Sequence, residues 1–223
     1  MCRHRSVVVL VGMFLSLPSC TGVTQIDGKS DGMIFPLLRG NIEFSRGDTN
    51  ADRDRVVTGL ELALSTGVDD FQPIGGGYER ADFRLVDAHA AFIGGADLDD
   101  RVRIEGLAGL QVNHFEMSLG HSGKPSDRDV SNTLGVMLGA QIVGELVEDV
   151  VSVYMRGTKT QAFGDIDTEN IEAGFKVDVS KSMRLLLAYR WWDYEDKGLR
   201  FGSREVELDL AMTGVVLGME ARF

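Results

Sequence analysis

Apolar and polar residues alternate with a period of two along most of this chain. Leu38, Gly40, Ile42 and Phe44 alternate with Arg39, Asn41, Glu43 and Ser45, and Thr58, Leu60, Leu62 and Leu64 with Gly59, Glu61, Ala63 and Ser65. Leu134 to Ile142 repeats the pattern against Thr133 to Gln141, and Ile171 to Val179 against Glu172, Lys176 and Asp178. A period of two puts successive side chains on opposite faces, which predicts strands and not helices. Runs of this kind cover 35–46, 55–66, 82–94, 101–118, 131–144, 149–162, 168–179, 183–195 and 204–223. A helix through 101–118 would enclose Gly106 and Gly109, at about 1 kcal/mol each relative to alanine. Between the runs lie turn-like segments, short at 95–100, 144–149 and 180–182 and longer and polar at 47–54, 120–129 and 193–203.

The last run changes step. Val206, Leu208, Leu210 and Met212 hold one parity, while Val215, Leu217, Met219, Ala221 and Phe223 hold the other. A β-bulge near Thr213 and Gly214, or exit of the strand from an apolar medium there, accounts for such a switch.

The beginning of the chain differs. Arg3, His4 and Arg5 precede the apolar stretch Val7 to Leu17, which is shorter than the ~20 residues of a spanning helix. Residues 1–19 therefore read as an export signal and 20–32 as a polar linker ahead of a folded domain at 33–223. Leu17-Pro18-Ser19-Cys20 resembles the lipobox of bacterial lipoproteins. That resemblance implies cleavage before Cys20 and lipidation of its thiol, and Thr21 after it favours the outer membrane. The closing run, with its alternating apolar residues and terminal Phe223, resembles the last strand of small bacterial outer-membrane β-barrel proteins. In that class the terminal aromatic is the signal read by the barrel-assembly machinery.

The resemblance implies an all-β, antiparallel up-and-down transmembrane β-barrel in the envelope of a Gram-negative cell, in contact with outer-membrane lipid. Single-chain bacterial barrels have even strand numbers. The nine runs therefore point to ten strands, with a short one inside Asp69 to Gly77, or to eight, with 35–46 left out. The ten-strand layout starts and ends in the periplasm. It sets Phe44, Phe115, Phe163 and Trp191 near the outer rim and Phe35, Phe92 and Phe223 near the inner one, as two aromatic girdles.

Composition narrows the chemistry. The formal charge is −11, and removing residues 1–19 takes away Arg3 and Arg5 and no acid, leaving 21 − 34 = −13. So acidic a chain is a poor partner for nucleic acid. No cysteine lies beyond Cys20, so the domain has neither disulfide nor thiol chemistry. No cofactor fingerprint or metal-ligand spacing is present. Glu61, Glu172, Lys176, Arg184, Arg190, Glu205, Glu207 and Asp209 are expected inside, with Arg184 and Arg190 paired to Glu205 and Glu207 across strands. His121 and Ser122, in the Gly120 to Gly123 loop, are the nearest approach to a nucleophile and base, and no acid is fixed beside them. No catalytic residue is therefore assigned. A structural or interaction barrel with contact loops is the expected function. A narrow channel for small solutes and a lipid-modifying enzyme are the alternatives.

Overall fold

A computed structural model describes residues 24–45, 56–74, 77–120, 127–163, 166–201 and 204–223. Its elements are β1 (Thr24–Ser45), β2 (Val56–Phe71), β3 (Arg80–Asp97), β4 (Val102–Gly120), β5 (Asp127–Val147), β6 (Val151–Ala162), β7 (Ile166–Ser180), β8 (Met183–Phe201) and β9 (Arg204–Arg222). All nine sequence runs appear as strands, most of them longer than their patterns predicted. They close in sequence order into one barrel, antiparallel throughout except where β9 meets β1.

The strand number corrects the expectation of ten, or of eight. β2 continues to Phe71 and β3 begins at Arg80, and no additional strand is found between them among the described residues. An up-and-down sheet with an odd number of strands can close only by pairing its first and last strands in parallel. That seam runs from Thr24↔Val206 to Asn41↔Arg222. The polar run Thr24–Asp31, read as linker, is thus part of the wall. A further consequence is that Thr24 and Phe223 lie at opposite ends, against the layout that brought both to one side. The turns at residues 98–101, 148–150 and 181–182 lie at the Phe223 end, hereafter the lower end.

No bulge interrupts β9. Its register against β8 is continuous from Leu208↔Asp196 through Gly214↔Arg190 to Ala221↔Met183. The irregularity at this level belongs to β1, where Gly32 is the extra residue between Asp31↔Thr213 and Met33↔Gly214. Gly32 has a φ of 84°, a left-handed conformation that glycine adopts without a Cβ penalty. The bulge carries the Met33 backbone onto the bare face of Gly214. A Cβ there would lie 2.1 Å from the Met33 carbonyl oxygen.

The parity switch in β9 is instead an inversion of polarity. In its upper part Val206, Leu208, Leu210 and Met212 are buried inside, and Glu205, Glu207 and Asp209 face out. In its lower part Val215, Leu217 and Met219 face out, and Glu220 is buried. β4 repeats this: Ile104, Leu110 and Val112 are outward below, with Glu105, Gln111 and Asn113 inside. Above, Phe115, Met117 and Leu119 are inside, and His114, Glu116 and Ser118 turn outward. The lower half is therefore apolar outside and polar inside, and the upper half the reverse. The outward apolar band covers residues 34–44, 60–68, 86–96, 104–112, 134–142, 151–157, 171–179, 183–191 and 215–221. Nine residues at about 3.3 Å each, tilted by about 40°, make a band roughly 23 Å tall.

Segment 193–203, read as a loop, is mostly strand. Asp193, Glu195 and Lys197 face out while Trp192, Tyr194 and Asp196 face in, and a register shift between Asp196 and Leu199 moves the inward parity to Leu199 and Phe201. The aromatic girdles also change. Phe35 and Phe115 turn inside, and Phe44 lies at the Phe223 end. The outward aromatics are Phe44, Phe92 and Phe223 below, Phe175 within the band, Tyr189 with Trp191 at its upper edge, and Phe163, exposed as expected, just past the upper end of β6.

β1 and β2 pair from Leu37↔Ser65 to Ser45↔Val57, and above this, among the described residues, the next backbone hydrogen bonds join Asp27 of β1 to Ile74, just past β2, at 3.1 and 2.8 Å. Side chains fill the interval: Ser30 hydrogen-bonds Asp69, and Phe71 covers Gly28.

Replacing Gly214 by valine should force the seam apart, because the obstructing atoms are all backbone. The expected loss is about 1–3 kcal/mol, read as a lower urea midpoint for unfolding of the full chain.

Candidate functional site

Two layers fill the barrel. The upper is aromatic. Phe71 and Phe83 have centroids 5.9 Å apart, Phe83 and Phe115 5.9 Å, and Phe115 and Tyr194 4.6 Å, while Phe35 and Trp192 lie at 6.1 Å. Ile26, Leu85, Met117, Leu208 and Met212 pack among them, fully enclosed. A buried side chain of this size contributes about 1.5–3 kcal/mol, so this plug is a hydrophobic core of ordinary kind. Asp196 closes it on one side, accepting hydrogen bonds from Tyr194 Oη at 3.2 Å and the Gly198 N–H at 2.8 Å. Burial pushes its carboxyl above the usual carboxylate range.

The lower layer is charged. Arg156 grips Glu61 through two hydrogen bonds, 2.9 and 2.6 Å, and His89 Nε2 lies 2.7 Å from the same carboxylate. Arg190 donates to Glu172 at 2.6 and 3.2 Å and to Ser65 at 3.0 Å, and Tyr154 donates its hydroxyl proton to Glu172. Arg39 stands between the clusters, 3.5 Å from Glu61, 3.4 Å from Glu172 and 4.0 Å from Glu220. Lys176 reaches Glu220 at 3.3 Å, and Arg184 reaches Glu220 at 3.3 Å and Asp178 at 2.8 Å. Bidentate arginine–carboxylate pairs of this kind are short, directional and well matched in shape. The layers join at Arg190, whose guanidinium lies 5.2 Å from the Phe35 ring and 5.6 Å from that of Trp192.

Of the residues expected inside, Glu61, Glu172, Lys176, Arg184 and Arg190 are there. Glu205, Glu207 and Asp209 are not: they lie above the inversion, where the polar face is the outer one. Arg184 accordingly faces Glu220 across the ladder, and Arg190 faces Gly214 and turns to Glu172 on β7. Pattern reading missed Arg39, Arg156 and Glu220, which alternation alone places inward but does not bring together. An enclosed cavity of about 10 Å³ remains among these charges, lined by Arg39, Asp87, His89, Arg156 and Glu172 among others, room for about one water.

His114 lies on the outer wall, with Nδ1 2.6 Å from Asn132 Oδ1. The outward positions nearest it, Val86, Val112 and Glu116, carry no hydroxyl. His121 and Ser122, like Cys20, lie outside the described residues. Among the described residues, no group of three His, Cys, Asp or Glu could hold a metal ion.

The outer wall carries a row of carboxylates above the band. Asp167 faces Glu195, Glu195 faces Asp209, and Asp209 faces Asp27, across β7, β8, β9 and β1. Partial burial holds the Asp209 carboxyl above the usual range, aided by Asp27, Glu195, Asp193 and Glu207. Comparison with protein-family models, curated proteins and solved structures finds no match. The class follows from the fold alone: a closed nine-stranded β-barrel, mixed at one seam, with a filled interior and an exposed apolar band.

Two outcomes follow. Glu172→Ala should cost about 3–5 kcal/mol, because it strands Arg190 without its carboxylate and takes from Arg39 one of its three; chemical denaturation measures it. Asp209→Asn should stabilise the chain near neutral pH by about 0.2–1 kcal/mol, the range for like charges set opposite one another. A carboxyl whose folded value is raised takes a proton more readily when folded, so its cost appears as pH rises from 3.8 through that raised value. The gain from Asp209→Asn should therefore vanish below about pH 3.8, in thermal melts across pH.

Proposed function

We propose that this chain is an outer-membrane β-barrel of structural or interaction type whose lumen does not conduct. The observation that carries this reading is the outward apolar band above a filled interior. Thirty-odd large apolar side chains, from Ile34 and Leu38 to Leu217 and Met219, stand exposed on the outside. Water gives no reason to expose them while Arg39, Glu61 and Glu172 are buried within. Lipid does: in a membrane barrel the outer face is apolar and the inner face polar. The roughly 23 Å height fits the ~25 Å outward band of such barrels.

The export-type start and the Phe223 end support the outer membrane as the location. They also orient the chain. With Phe223 on the periplasmic side, as the assembly signal requires, the lower turns are periplasmic and the upper half projects from the cell surface. Its charged wall, rather than long loops, is then the contact surface. The start of β1 also lies at the surface end, ten residues from Ile34. Lipidation of Cys20, which the lipobox resemblance implies, is tested by the mass of the mature chain extracted from membranes.

Full-length protein refolded into vesicles should resist carbonate extraction and migrate differently on gels before and after heating. In planar-bilayer recordings the inserted protein should give no discrete current steps. Reproducible steps would refute a sealed lumen; release by carbonate with no heat shift would refute the membrane reading.

A further inference from the structure

At the upper edge of the apolar band, the outer wall over β2 to β5 changes from the rung of Ala88 and Val112, through the mixed rung of Thr66, Val86, His114 and Asn132, to that of Arg84 and Glu116. The rung through Arg84 reads Val68, Arg84, Glu116, Val130, so this arginine has an exposed valine on one side and Glu116 on the other. The acids nearby are engaged. Glu116 pairs with Arg128 at 2.8 Å, and Arg80 pairs with Asp82 at 2.8 Å and Asp70 at 3.5 Å. Arg84 makes no ion pair or hydrogen bond among the described residues, although it faces Glu116 in register. Beside it His114 is held through Nδ1 by Asn132, which leaves Nε2 turned away from that bond. An open groove of about 480 Å³ runs here, lined by Val68, Asp70, Arg80, Arg84, Glu116 and Ser118 among others.

We infer that this groove binds the phosphate of a membrane lipid, with Arg84 as its principal ligand and His114 beside it. The inference rests on the membrane reading above and adds a ligand to it. Acyl chains against Val86, Ala88 and Val112 put a lipid's phosphate at the level where those residues end. A guanidinium there offers a planar fork that matches two phosphate oxygens, and its stem lies along apolar wall while its head stays at the interface. Three of the four acids lining the groove, Asp70, Asp82 and Glu116, already face an arginine, and the fourth, Asp69, accepts a hydrogen bond from Ser30. On the far wall, over β7 to β1, the same level carries Glu169 and Asp193, so a lipid phosphate is favoured on this side alone.

The test is native mass spectrometry of the full chain in detergent, titrated with phosphatidylglycerol, with a phosphate-free galactosyl diacylglycerol of the same chains, and with inorganic phosphate. Wild type should retain one phosphatidylglycerol, and Arg84→Gln should bind it about fivefold more weakly, the factor given by about 1 kcal/mol per arginine at a lipid surface. Arg84→Lys should recover part of the loss, and Lys197→Gln, on the far wall, should match wild type. Equal binding by Arg84→Gln, or equal retention of the galactolipid, overturns the phosphate site. Equal retention of inorganic phosphate overturns the claim that a lipid is the ligand. Each variant is first checked for a heat-shifted gel band. A wild-type chain that fails to insert into phosphatidylcholine vesicles removes the membrane reading and this inference together. One that inserts but shows no preference for phosphatidylglycerol removes the lipid site alone.

Discussion

Closure of the sheet is the constraint on which the rest of this molecule depends. A strand buried against an apolar medium leaves each unpaired N–H and C=O at a cost of several kcal/mol, and only a wall without edges avoids it. With nine strands the last edge can be matched only in parallel, β9 against β1, over the length Thr24 to Asn41. That seam is not a passive join. It needs Gly32 to take up one extra residue and Gly214 to accept the Met33 backbone without a side chain between. It also sends Thr24 and Phe223 to opposite ends of the barrel.

Once closed, the barrel is too narrow to stay empty, and its two halves are filled by different physics. Above, where the outer wall is charged, the interior is an aromatic core like that of a soluble β-protein. Below, where the outer wall is apolar, the interior holds Arg39, Arg156, Arg190 and Lys176 against Glu61, Glu172 and Glu220. Each buried charge there has an opposite neighbour, which is the condition for keeping ions out of water. Arg190 belongs to both halves, ion-paired to Glu172 and lying near the rings of Phe35 and Trp192. A lumen so occupied is the basis for proposing a barrel that holds a shape rather than passes solutes.

Much of this was legible from alternation. The nine runs are the nine strands, and the inward placement of Glu61, Glu172, Lys176, Arg184 and Arg190 followed from parity. Two readings went astray for one reason. Alternation reports which residues share a face, not which face is inside. In β9 the apolar parity changes at Gly214 because the apolar side chains pass from the inner to the outer face, while the backbone runs on without a bulge. In 193–203 the outward acids hid an inward row of Trp192, Tyr194, Leu199 and Phe201, and so a strand was taken for a loop. Among the lumen residues Arg39, Glu61 and Arg156 come from strands far apart in sequence, and no local pattern brings them together.

The sequence by itself determined that this is an all-β chain whose strands each carry one polar and one apolar face, because a period of two is a local property of the backbone; the number of strands came from how the sheet closes. It determined too that cysteine chemistry plays no part in the folded domain. Only the tertiary structure decided how the sheet closes, that the faces exchange roles partway up the wall, and which charges meet in the lumen. Those depend on register around the whole circumference, where the pairing of Asn41 with Arg222 is as consequential as any choice made between neighbours in sequence.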